Sequence, residues 1–186
     1  MSKNFRTGSG WVGRWAGVAL LLALPLPAAA VEVSPGDLQA VVRSLGFATS
    51  LPRNGTLTVA VVYSPDTPDA KAAAARIAAA FEQTPGPNGA NFHAIPVSVA
   101  ELAQGNARLD AVFIAPGAAG QGALIALSIR RRHLISISND PACLDTNCCV
   151  LMVSVSSRVR IVLNTALADQ AGAHFSPVFT MMVERK

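Results

Sequence analysis

Three cysteines fall within seven residues, at Cys143, Cys148 and Cys149. Thiols at that density can hold a metal, run redox chemistry or form a disulfide. A metal would need further ligands at turn or helix spacing, yet His93, His133 and His174 stand 40 or more residues apart, whereas zinc sites place their ligands in closer pairs. Nucleophilic catalysis finds no pattern either: the chain has no Gly-x-Ser-x-Gly elbow, and its carboxylates are scattered singly. Ser64 and Asp66 follow a strand-like run, where parallel sheets place ligands, but Ser64-Pro65-Asp66 is also an ordinary turn. Gly117, Gly120 and Gly122 (GAAGQG) enter a helix-like run, yet match neither a dinucleotide fingerprint nor a Walker loop. They read as a flexible strand-to-helix turn. Arg130, Arg131 and Arg132 close that helix, where cations complement the dipole. The residues predict no catalytic group, no cofactor and no metal: the chain does not read as an enzyme.

The fate of the thiols depends on compartment. Lys3, Arg6 and Arg14 flank the apolar run WAGVALLLALPLPAAA, and Ala28 and Ala30 match an A-x-A cleavage site. The run is broken by Pro25 and Pro27 and is shorter than the roughly 20 residues of a spanning helix. Residues 1–30 are therefore expected to be a cleaved signal peptide, and residues 31–186 one exported, periplasmic domain in which thiols oxidise. Without the leader the chain keeps twelve of its fifteen Lys and Arg and all eleven Asp and Glu, a formal charge of +1 instead of +4. The basic balance belongs largely to the leader, and no nucleic-acid surface follows from it.

The remaining chain alternates strand and helix signals. Ser34-Pro35 opens a helix with Leu38, Val41, Val42 and Leu45 at helical spacing. Thr56–Tyr63 (TLTVAVVY) is the continuous apolar run of a strand covered on both faces. Ala70–Phe81 is a helix with little polar surface, Phe92–Val99 a strand, Glu101–Gln104 a short helix and Ala111–Ala115 a strand. A helix over Gly122–Arg132 leads into the strand Leu134–Ser138. Val150–Val155 and Val159–Leu163 are separated by three residues, too few for a crossover, so they form an antiparallel hairpin. Helices over Ala166–Ala171 and from about Ser176 follow. The pattern predicts a single α/β Rossmann-like domain: a mostly parallel sheet flanked by helices, with an antiparallel hairpin near the carboxyl terminus.

Within that frame the cysteines precede the hairpin. Cys143 and Cys149 enclose Asp145, Thr146 and Asn147, a turn able to bring two sulfurs together. Cys143 to Cys148 is the competing pairing, and the two exclude each other. Either closes a short loop, with on the order of 2–3 kcal/mol from loop-closure entropy.

The segment C-x5-C, then the two strands, V-R-I-V-L-N (Val159–Asn164), an Ala-rich helix ending Ala171-Gly172, and F-S-x-x-F-x-M-M-V (Phe175–Val183) resembles the carboxyl-terminal half of the YfiR family of periplasmic regulatory proteins. Upstream, Leu51-Pro52 after the first helix, D-A-V-F-I-A (Asp110–Ala115) and I-S-N-D (Ile137–Asp140) follow the same order. The resemblance implies a non-enzymatic regulator that acts as a homodimer. Its partner would be the sensory domain of an inner-membrane diguanylate cyclase, restrained in its cyclic-di-GMP synthesis, with an outer-membrane lipoprotein relieving the restraint. It also implies a Cys143–Cys149 disulfide, with Cys148 the spare thiol. Asn164 is expected to be a structural cap, which its place between strand and helix independently suggests. Two departures bear on the partner surface. The family's first helix and following loop are richer in aromatics, with a Trp before the Pro, where this chain has Thr49, Ser50 and Leu51; and both Trp11 and Trp15 lie in the leader. The alternative expectation is a small-ligand-binding module, with ligand at the carboxyl ends of the strands near Ser64, Pro65, Pro116 and Gly117.

Overall fold

The structure, a computed structural model, describes residues 32–186. The leader expected over residues 1–30 lies outside them. Seven strands form one sheet in the order β2-β1-β3-β4-β5-β6-β7: β1 Thr56–Tyr63, β2 Asn91–Ser98, β3 Ala111–Ile114, β4 Ile135–Ser138, β5 Leu151–Val155, β6 Val159–Leu163 and β7 Glu184–Arg185. All neighbours pair in parallel except β5 with β6, in which Leu151 faces Leu163 and Val155 faces Val159. The fold is α/β, as its alternation dictates. β7 was not predicted: two exposed residues carry no periodicity, and the strand is held beyond the hairpin by an Arg160–Glu184 ion pair at 2.8 Å.

The helices are α1 Pro35–Leu45, α2 Ala70–Glu82, α3 Val99–Gln104, α4 Gly122–Arg132, α5 Ala142–Asp145, α6 Thr165–Ala171 and α7 Pro177–Met182. Sheet growth reverses at β1, so right-handed crossovers place α2 on one face and α3 with α4 on the other. α2 packs on β1 and β2, α1 on β5, and α4 against α3 and α6. Local chemistry sets the boundaries. Ser34 and Asp37 form a capping box at α1, and Ser98 and Glu101 another at α3, which moves Val99 from the expected strand into the helix. Asp37 also accepts from the Val155 N–H at 2.8 Å, fastening α1 to the end of β5.

The core runs along both sheet faces and is nailed at its centre by Phe81, edge-on to Phe92 and Phe113 at 5.5 and 5.6 Å. The β2 edge offers few free donors to a further strand. Its Ala94 N–H is taken by the Glu82 carboxylate, Pro96 has no N–H, and the Ser98 N–H is held by Glu101. Among the described residues no helix is long and apolar enough to cross a membrane.

Candidate functional site

β1 and β3 lie side by side, yet the chain leaves them in opposite directions, so the loops after them diverge and open a crevice at the carboxyl edge of the sheet. The start of α1 stands beside that crevice, and together they bound a groove of about 1100 Å³ between α1 and α2. Its carboxyl-edge end is made by Glu32–Gly36, Thr67–Ala70 and Ala115–Gly117; Leu38 and Gln39 form one wall, and Ala73, Arg76, Ile77 and Ala80 the other. Two of the four α2 residues on that wall, Ala73 and Ala80, are alanines, whose short side chains leave room beside α1. The size of the groove is at the upper end for a small-molecule site.

The expected ligand positions are only partly used. Pro116 and Gly117 line the groove, whereas Ser64 and Pro65 do not. Ser64 is buried, and with Asp66 it accepts from Gln121 Nε2, at 3.2 and 2.7 Å, so these residues tie the two loops together. Gly117 adopts φ +84°, and its N–H donates to Asp140 Oδ2 at 3.3 Å. The neighbouring Asn139 is 4% exposed; its Nδ2 donates to the Glu32 carbonyl at 3.1 Å, while its Oδ1 has no partner among the described residues. Sequence reasoning did not name the two helix walls.

The remaining candidates separate. A Cβ on Gly122 would lie 2.6 Å from the Thr146 side chain, so this glycine serves packing against the α5 turn. Arg132 donates to the Leu102 and Ala107 carbonyls, linking α4 to the turn after α3 instead of merely capping in solvent. His93 pairs with Glu82 at 3.5 Å on the β2 edge, and His133 ends α4 at φ 54°. Among the described residues no three His, Cys, Asp or Glu side chains gather to hold a metal.

The cysteine corner corrects the expected pairing. Cys143 is bonded to Cys148, with Cα atoms 5.2 Å apart, and Cys149 is the free thiol. The reason is α5, which the sequence did not announce. One helical turn, Ala142–Asp145, is followed by Asn147 at φ 51°, and the Cys148 N–H returns to the Cys143 carbonyl at 2.9 Å. Cys148 is thereby placed over Cys143 before the strand begins at Leu151. Cys149 is fully buried, and burial pushes its thiol up to about 12. Asn164 caps α6: its Oδ1 accepts from the Leu167 N–H at 3.0 Å, and its Nδ2 donates to Asn147 Oδ1 at 3.3 Å.

The second distinctive surface is α7. Phe179, 1% exposed, stacks between Phe47 and Phe175 at 5.0 and 5.3 Å, and the Ser176 N–H donates to the Phe47 carbonyl at 2.9 Å. Around that anchor Val178, Met181 and Met182 project outward, the methionines 73% and 64% exposed.

No family model and no curated protein sequence matches the chain. Among solved structures it is similar to the ABC domain in complex with L-Trp from Streptococcus pneumonia, with a TM-score of 0.53 and 11% identity over 81% of this chain. This chain spans 60% of that one's length. At that identity the likeness is one of fold.

Proposed function

We propose that this protein is a non-enzymatic periplasmic regulator that binds and restrains a membrane-bound sensor of the diguanylate cyclase class. The observation that carries the reading is the outward face of α7. Val178, Met181 and Met182 are exposed on a short helix held rigid by the Phe47–Phe179–Phe175 stack. Flexible thioether side chains on a fixed base suit a protein partner, because they adapt their packing while the aromatic anchor does not move. The resemblance of this same segment to the YfiR family supplies the partner class, and a lipoprotein of the outer membrane would compete for the regulator. The disulfide fits an oxidising compartment.

The test is affinity capture from membranes with the wild-type protein and with Met181→Glu, coupled to a cyclic-di-GMP measurement in a deletion strain. A membrane sensor retained by the wild type and lost by the variant, with a raised nucleotide level in the deletion strain, supports the reading. Equal capture by both proteins, or an unchanged nucleotide level, refutes it.

A second reading is favoured by the groove between α1 and α2: a small-ligand-binding module. It is supported by the position of the groove at the β1/β3 divergence and by its volume. The solved structure of similar fold is described as a complex with L-Trp, which is a small ligand. Closing the groove with Ala73→Trp should leave capture through α7 intact, which separates the two readings.

A further inference from the structure

The two edges of the sheet differ. On β2 the Ala94 and Ser98 N–H groups are held by carboxylates and Pro96 has none, whereas β6 is covered by β7 only at Val162 and Leu163. The register shows what this leaves open. Leu163 turns its carbonyl outward to the Lys186 N–H at 2.9 Å, so with a period of two Val159 and Ile161 direct their backbone groups to the same side, away from β5. Among the described residues no strand pairs with Val159–Ile161 on that side. Val159 is 55% exposed, and Ile161 is half-buried.

Side chains alternate across the sheet, so Arg158 and Arg160 share one face of this edge and Val159 and Ile161 the other. Arg158, Arg160 and Arg185, all exposed, stand against the single carboxylate of Glu184, two positive charges in excess. Hydrogen bonds from Arg160, and more weakly the charge of Arg158, hold Glu184 below the usual carboxylate range, which places both arginines beside it. The Asp37 carboxylate near the hairpin is buried and already held by the Val155 and Ser34 N–H groups. Charge commonly guards an exposed edge, and here it guards against a second copy. In the antiparallel registers that stay clear of β7, Val159 opposes either Val159 or Ile161, and an arginine then faces an arginine. The same arginines attract carboxylates.

We propose that the β6 edge takes an extended segment of a partner protein in which acidic and apolar residues alternate, added as a strand beside Val159–Ile161. Backbone bonds supply the affinity, carboxylates meet Arg158 and Arg160 on one face, and apolar side chains cover Val159 and Ile161 on the other. The edge is separate from the outward residues of α7 and works whether or not α7 binds a sensor.

Fluorescence anisotropy on the purified protein with labelled eight-residue peptides tests this: one alternating glutamate and valine, one alternating lysine and valine, and the glutamate peptide N-methylated at its central amides. The glutamate peptide should bind, and the lysine peptide about tenfold more weakly, because two exposed ion pairs worth about two- to fivefold each give way to repulsion. Glu184→Gln frees Arg160 and should tighten the glutamate peptide by about two- to fivefold. Val159→Pro removes an outward N–H without touching the bonds to β5; with an unaltered thermal transition it should lose the peptide, as should N-methylation. Met181→Glu should change nothing, so failure here leaves the α7 reading standing. Equal binding of the lysine peptide overturns the charge assignment. Binding that survives N-methylation or Val159→Pro overturns strand addition, and no binding by any peptide overturns the proposal. Sedimentation of the wild type alone as a dimer that Val159→Pro dissociates overturns it too, by making a second copy the occupant.

Discussion

Replacing Asn164 tests how the cysteine corner, the hairpin and α6 are joined. The side chain is 3% exposed and makes two bonds of different kinds. Oδ1 caps α6 through the Leu167 N–H, and Nδ2 holds Asn147, the left-handed residue between the bridged cysteines. Loss of an Asn cap costs about 1 kcal/mol. Loss of the Nδ2 bond to Asn147 Oδ1 adds about 1 more. Asn164→Ala should therefore destabilise by about 2 kcal/mol, lowering the melting temperature by about 4–8 °C for a domain of this size. Asn164→Asp keeps an acceptor at the helix start and loses only the donor, so it should cost about 1 kcal/mol, half the Ala effect. Urea unfolding followed by circular dichroism gives both values, with an unchanged slope expected since the exposed area is the same. A loss below about 0.5 kcal/mol for Ala, outside the range of a cap, or equal losses for Ala and Asp, would refute the two-bond account.

The disulfide assignment is checked by non-reducing peptide mapping, which should recover Cys143 linked to Cys148 and Cys149 free; a Cys143–Cys149 link sinks it. Cys148→Ser should cost on the order of 2–3 kcal/mol by opening the loop. Cys149 carries a pH dependence. Its thiol is held protonated in the fold, from an ordinary 9.0 up to about 12, chiefly by burial. Its contribution is thus complete below pH 9 and is lost as pH rises towards 12, because the unfolded chain gives up the proton first. Cys149→Ala should flatten that alkaline decline, and an identical decline in both proteins would show that another group causes it. Glu82→Ala should free the Ala94 N–H on the β2 edge and quicken aggregation in light scattering, with less than about 1 kcal/mol change in stability; unaltered scattering would mean the carboxylate does not guard the edge.

Sequence and structure agree where one residue type decides locally, and part where the deciding contact is distant. TLTVAVVY reads as a covered strand and Ser34 with Pro35 as a helix start; both stand within a residue of expectation. Asn164 was legible for the same reason, since a cap is a three-residue event. α5 was not, because four residues between a proline and a turn have no periodicity, and that single missed turn moved the disulfide by one residue. β7 was missed for want of length, and it pairs only because the chain returns from α7 to the edge of β6.

The groove shows the deeper limit. Its carboxyl-edge residues Pro116 and Gly117 could be anticipated from strand order, but its walls are α1 and α2, which are 24 residues apart between Leu45 and Ala70 and meet only through the sheet. In sequence the alanines of α2 signal helix propensity; across the groove from Leu38, Ala73 and Ala80 leave space. Asn139 likewise reads as a strand end until the Glu32 carbonyl, 107 residues away, takes its donor and leaves its buried acceptor without a partner among the described residues. The scaffold is thus written in local chemistry, while the groove arises where residues distant in the chain come to face one another.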